Sequence, residues 1–178
     1  MKTRSTRRVL LKTAACLLPG AALPGLGLAA MGQTRRLRFS HCHTSEQLDV
    51  VYNESGVYVP DALDEINGLL RDFRTGEVHP NDTGLLDLLF ELQTQTDGDV
   101  YEIISGYRSP KTNAMLRKKC GGVAKRIYHM RGMALDVRLR GVDTAQLRKA
   151  ALALKAGGVG YYPKSDFVHV DTGRVRFW

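Results

Sequence analysis

Tyr128-His-Met-Arg-Gly-Met-Ala-Leu-Asp-Val-Arg-Leu139 is the stretch on which the fold turns. Its second half alternates. Leu135, Val137 and Leu139 fall on one side of an extended chain, and Ala134, Asp136 and Arg138 on the other. A period of two predicts a half-buried strand with its apolar side on a core. An acid inside such a strand is costly unless it is paired or bound to metal, so Asp136 requires a partner. His129, seven positions earlier, offers an imidazole, and Gly132 lets the backbone turn between the two.

The segments after this strand repeat the pattern. Asp143-Thr-Ala-Gln146 reads as a capping-box start to a helix that runs to Ala156 and stops at Gly157-Gly158. Val159-Gly-Tyr-Tyr162 and Asp166-Phe-Val-His-Val-Asp171, joined by Pro163-Lys-Ser165, read as a hairpin. In the second strand Phe167, His169 and Asp171 share a face. The tail 172–178 receives no assignment.

Before the opening stretch, Val100–Ser105 is a strand by its β-branched content. It runs into Gly106-Tyr-Arg-Ser-Pro110, and Pro110 opens a helix to Lys119. Arg108 therefore sits in a turn at a strand end, a usual place for site residues. Cys120 to Tyr128 is irregular. Further upstream, strands at 36–42 and 47–52 flank the turn His43-Thr-Ser-Glu46. Loops at 53–60 and 75–82 bracket apolar-striped helices at 61–74 and 82–96.

The 178 residues suit one domain, and 43% apolar content suits a buried core. The formal charge of +8 is concentrated at the start, where Lys2, Arg4, Arg7, Arg8 and Lys12 stand without an acid. The remainder carries 21 basic and 18 acidic residues, or +3. That balance removes the main support for a nucleic-acid partner. Residues 1–31 read as an export signal: a basic start, an apolar run and small residues near 27–32. Thr6-Arg-Arg-Val-Leu-Leu-Lys12 resembles a twin-arginine signal. Pro19 and Pro24 make the apolar run a poor membrane span. The three cysteines exclude a four-cysteine zinc site, and the count leaves pairing of Cys42 with Cys120 open.

His129, Asp136 and His169 supply three ligands of the types that hold one catalytic zinc and leave its fourth position for water. A hydrolase also needs a base for that water. Asp171, two along from His169, is the first candidate, and Asp166, three before it, is the alternative. Arg108 suits the carbonyl oxygen as it gains charge. As pattern alone, these residues are also compatible with ordinary polar positions. His41 and His43 share a strand face but have no third ligand nearby, and read as surface or turn residues.

Over nearly its whole length the chain resembles the YcbK-like (MepK-like) murein endopeptidases, members of the LAS group that joins lysostaphin, D-alanyl-D-alanine metallopeptidases and sonic hedgehog. The likeness rests on the twin-arginine leader, Ser105-Gly-Tyr-Arg-Ser109, Tyr128-His-x5-Leu-Asp136, Ala156-Gly-Gly-Val-Gly-Tyr-Tyr-Pro163 and Phe167-Val-His-Val-Asp-Thr-Gly173. The resemblance implies a small α+β domain over residues 32–178, with a central antiparallel sheet flanked by helices, as in hedgehog and DD-peptidases. It maps the zinc ligands to His129, Asp136 and His169, and the substrate-polarising arginine to Arg108. It implies peptidoglycan stem peptides as substrate, cut at crosslinks involving meso-diaminopimelate, in the periplasm, by a monomer without a membrane span. A D-alanine carboxypeptidase and a non-catalytic, zinc-containing wall-binding module are the alternatives. Where the wider family usually has serine two residues before the first histidine, this chain has Ile127, which bears on peptide specificity.

Overall fold

The computed structural model describes residues 32–120 and 127–178. The export signal expected over residues 1–31 lies outside them, as does most of the irregular run before Tyr128. Eight strands form one sheet in the order β3-β2-β1-β4-β5-β7-β6-β8. Strands β1 (Arg35–His41) and β2 (Gln47–Glu54) make the expected hairpin. The short β3 (Val57–Tyr58) extends β2 within a stretch expected to be loop. Tyr58 is tied there by donating to Asp87 Oδ2 at 2.7 Å, beside the Tyr52 bond to Asp87 Oδ1 at 2.9 Å.

Helices α1 (Pro60–Leu69) and α2 (Thr83–Thr96) follow, and the Asp82 side chain caps α2 by accepting from Gly84 N. Next come β4 (Tyr101–Ser105), α3 (Pro110–Cys120), a 3₁₀ turn over Tyr128–Arg131 and β5 (Ala134–Leu139). The chain closes with α4 (Thr144–Leu154), β6 (Gly158–Tyr162), β7 (Phe167–Asp171) and β8 (Arg176–Phe177). Among the described residues no helix is long and apolar enough to cross a membrane. Cys42 carries a free, exposed thiol.

The expected α+β architecture is borne out, with two parallel joins in an otherwise antiparallel sheet. β1 pairs with β4 in parallel because α1 and α2 carry the chain across between them. β8 pairs in parallel with β6 after the β6–β7 hairpin has returned the chain to its starting end. Helix α1 is shorter than its apolar stripe predicts. The Leu70 carbonyl, just past its end, accepts from Tyr107 N at 2.8 Å, so the helix terminus is used to hold the turn after β4.

The alternation read in β5 governs the layering. Leu135, Val137 and Leu139 are fully buried and join Leu37 and Phe39 of β1, Ile103 of β4 and Val168 and Val170 of β7. Ile66 of α1, Leu85, Leu89 and Leu92 of α2, and Leu147 of α4 complete this core. Each such side chain contributes roughly 1.5–3 kcal/mol on burial. The same alternation turns Asp136, His169 and Asp171 to the opposite face of the sheet. A register shift in β4 then sets Ser105 beside Asp136, where regular pairing from Ile103–Val137 would not.

Candidate metal centre

Three elements bring the site together. Asp136 of β5 and His169 of β7 are direct partners across the sheet. His129 comes from the 3₁₀ turn, which Gly132 ends in a left-handed conformation, φ 63°. The turn is zipped to the end of β4: Arg108 N donates to His129 O at 3.1 Å, and His129 Nδ1 donates to Gly106 O at 2.8 Å. Ile127 precedes the turn in extended conformation and supplies no side-chain cap.

His169 Nδ1 lies 2.8 Å from Asp136 Oδ1 and 3.2 Å from His129 Nε2, and His129 Nε2 lies 3.3 Å from Asp136 Oδ1. A tetrahedral zinc with bonds of about 2.0–2.1 Å spaces its ligand atoms roughly 3.3 Å apart. The trio fits such an ion, and all three residues are buried. No other group of three histidines, cysteines or acids among the described residues is arranged to hold a metal.

The outer nitrogens of both rings are committed. Nδ1 of His129 faces a carbonyl, and Nε2 of His169 donates to Asp171 Oδ2 at 2.9 Å. These bonds place the ring protons on the outside and leave His129 Nε2 and His169 Nδ1 as lone pairs aimed at one point. Burial opposes the charge on Asp136, but His129 and His169 outweigh it and hold the carboxyl well below its ordinary range. Without metal, burial also opposes charge on His169, and Asp136 and Asp171 more than offset this, raising its pKa. A cation bound here would take the place of a proton on His169.

Arg108 reaches the trio from its turn, with Nη2 3.1 Å from Ser105 Oγ and 3.5 Å from Asp136 Oδ2. Its Nε is buried without a hydrogen-bond partner.

Asp171, the first candidate for the base, is enclosed by donors. It is fully buried, and both oxygens are taken. Oδ1 accepts from Gly158 N, Gly173 N and Arg176 Nη1 at 3.1, 2.9 and 3.0 Å. Oδ2 accepts from His169 Nε2 and, at 2.7 Å, from Arg176 Nη2. Asp166 is different: its side chain is 61% exposed, Oδ1 accepts from Thr144 Oγ1 at 3.0 Å, and Oδ2 lies 3.8 Å from Arg138 Nε. His41 and His43 stand apart from the trio. His41 is buried rather than superficial, its Nδ1 accepting from His43 N and Thr44 N, and His43 stacks on Phe73 at 4.1 Å.

The tail left unassigned proves to be part of the site's wall. Gly158 of β6 lies between Asp171 of β7 and Arg176 of β8 in register. A Cβ on Gly158 would lie 2.2 Å from Arg176 Nη1, so its absence opens the path between the two side chains. Gly160, the partner of His169, likewise lies beneath Trp178, whose ring centre is 5.2 Å from that of His169. The legible signal was the matched period of two in Gly158-Val-Gly160 and Arg176-Phe-Trp178.

Residues 29–178 match the family described as peptidoglycan L,D-endopeptidase MepK. The proteins of that name from Escherichia coli (strain K12) and Shigella flexneri are each 40% identical over 181 residues, covering 99% of this chain and 99% of the relative. The probable peptidoglycan L,D-endopeptidase MepK of Haemophilus influenzae is 39% identical over 164 residues, 91% of this chain and 87% of the relative. The crystal structure of Serratia marcescens L-Ala D-Glu endopeptidase ChiX aligns with 53% of this chain and 68% of its own at 17% identity, with a TM-score of 0.37. The chain belongs to the MepK family of peptidoglycan L,D-endopeptidases.

Proposed function

We propose that this chain is a zinc-dependent peptidoglycan endopeptidase that cuts L,D peptide bonds in crosslinks involving meso-diaminopimelate, and so remodels the cell wall. The observation that carries the reading is the trio His129, Asp136 and His169, with ligand atoms 2.8–3.3 Å apart. The bond type follows that of the 40% identical relatives, which are peptidoglycan L,D-endopeptidases. The basic start Thr6-Arg-Arg-Val-Leu-Leu-Lys12 supports export to the periplasm by the twin-arginine route, where the chain acts as a monomer.

Zinc held by these three residues would polarise the scissile carbonyl and bring a water to ionise near neutral pH. Arg108, whose guanidinium lies against Asp136, donates to the carbonyl oxygen of the substrate as negative charge develops there. Asp166 Oδ2 takes the proton from water and returns it to the leaving amine, a role its exposure supports. Asp171 fixes the His169 ring and carries no proton in the reaction.

The test is a comparison of two purified crosslinked muropeptides, one joined by an L,D bond and one by a D,D bond, resolved by mass spectrometry. The wild-type chain is expected to cut the first and spare the second, and His129→Ala to cut neither. Equal cleavage of both, or loss of a terminal D-alanine in place of crosslink cleavage, contradicts the proposal.

A further inference from the structure

We infer that Arg176 is a positioning residue of the metal centre, acting on His169 through Asp171. The inference rests on the metal-site reading above and goes beyond it. Arg176 and Asp171 belong to strands separated by β6, yet the guanidinium spans Gly158 and binds the carboxylate through two parallel bonds, Nη1 to Oδ1 at 3.0 Å and Nη2 to Oδ2 at 2.7 Å. A bidentate pair fixes the plane of the carboxylate as well as its position. The same Oδ2 accepts from His169 Nε2. The plane that Arg176 sets is therefore the plane that aims the ring, and with it Nδ1, at the ligand triangle.

The arginine is itself held still. Its Cζ lies 5.1 Å from the centre of the Tyr128 ring and 4.9 Å from that of Trp178, and Nη1 also donates to Arg174 O. Tyr128 directly precedes His129, so the guanidinium touches the approach to one ligand while it orients another. Backbone donors from Gly158 and Gly173 satisfy Asp171 Oδ1 as well. Arg176 is thus not required merely to neutralise a buried acid. Its distinct contribution is the second bond, to the oxygen that His169 uses. A lysine offers one point charge in place of a planar fork and can restore only part of that geometry.

The experiment measures zinc affinity of the full chain by competition with a chromophoric chelator, alongside circular dichroism and thermal melting. The chains compared are wild type, Arg176→Ala, Arg176→Lys, Asp171→Asn, the double variant Asp171→Asn/Arg176→Ala, His129→Ala and, as control, Arg140→Ala. Arg140 is a solvent-side residue whose nearest acid is Glu102 at 3.6 Å. Arg176→Ala is expected to weaken zinc binding roughly tenfold, as removal of an outer-shell partner does. Arg176→Lys is expected to lose less, Arg140→Ala nothing, and the double variant no more than Asp171→Asn alone, because the two residues act in series.

Wild-type affinity in Arg176→Ala overturns the inference. So does a full additional loss in the double variant, or a collapsed fold in both Arg176 variants, which would make the residue a folding determinant only. If the wild-type chain binds zinc no better than His129→Ala, the metal-site reading itself fails and the inference falls with it.

Discussion

Asp166 and Asp171 stand five residues apart on one hairpin, in opposite surroundings. Asp166 keeps an exposed oxygen, whereas Asp171 has every acceptor position facing a donor. Burial would raise the Asp171 pKa, but His169, Arg176 and Gly173 pull it well below the carboxylate range, so it is a poor acceptor of a further proton. Asp166→Ala is expected to lower kcat by about 10²–10⁴ with zinc affinity intact. Asp171→Ala is expected to weaken zinc about 10–100-fold. Steady-state kinetics beside a zinc competition titration separates the two, and a reversed pattern restores Asp171 as base. Asp72 supports the neighbouring turn. Its Oδ1 accepts from Arg74 N at 3.0 Å and its Oδ2 from Ser109 N at 2.9 Å, next to Arg108. Burial alone would raise its pKa, but the donors of Ser109, Thr112 and Arg74 bring it down to about 2. A folded value below the unfolded one, about 3.9, gives stability that is complete above pH ~4 and lost as pH falls through 2. Asp72→Asn is expected to cost on the order of 1–2 kcal/mol at pH 7, with the gap to wild type closing between pH 4 and 2 in denaturant melts.

Strand β6 shows how a small element sets a site it does not line with ligands. Gly158→Ala places a Cβ 2.5 Å from Asp171 Oδ2 and 2.2 Å from Arg176 Nη1. It is expected to weaken zinc binding at least as much as Arg176→Ala, measured by the same competition. Gly68, inside α1, has nothing within 4 Å of an added Cβ. Gly68→Ala is expected to stabilise the chain by about 0.5–1 kcal/mol in denaturant melts, leaving zinc affinity unchanged. Element by element, the sequence was most readable where periodicity and caps agree, as in β5, α2 behind Asp82, and α4 behind Asp143. It misled at α1, where Phe73 continues the apolar stripe but leaves the helix to stack on His43. It was faint at β8, whose two residues are too few to show a period except when matched against Gly158 and Gly160.

At the scale of the molecule, one sheet separates a hydrocarbon face from a polar one. His129, Asp136 and His169 were legible because each sits in a pattern that fixes its direction: a turn closed by Gly132, and two strands of period two. The surroundings of Asp171 were not, because His169-Val-Asp171 predicts a shared face and says nothing of which donors from other strands reach that face first. The three proposed ligands come from β5, β7 and the turn before β5, so zinc is expected to stabilise the fold against unfolding. The gain is roughly 4 kcal/mol at a zinc concentration about a thousand times Kd. A calorimetric melt should show it in wild type and not in His129→Ala. The central claim is that chemistry depends on this buried trio. Its most direct measurement is cleavage of an L,D-crosslinked muropeptide by the chain before chelation, after verified removal of metal, and after return of one equivalent of zinc. Activity, its loss and its recovery are expected in turn; full cleavage by the metal-free chain would contradict a zinc-dependent reaction.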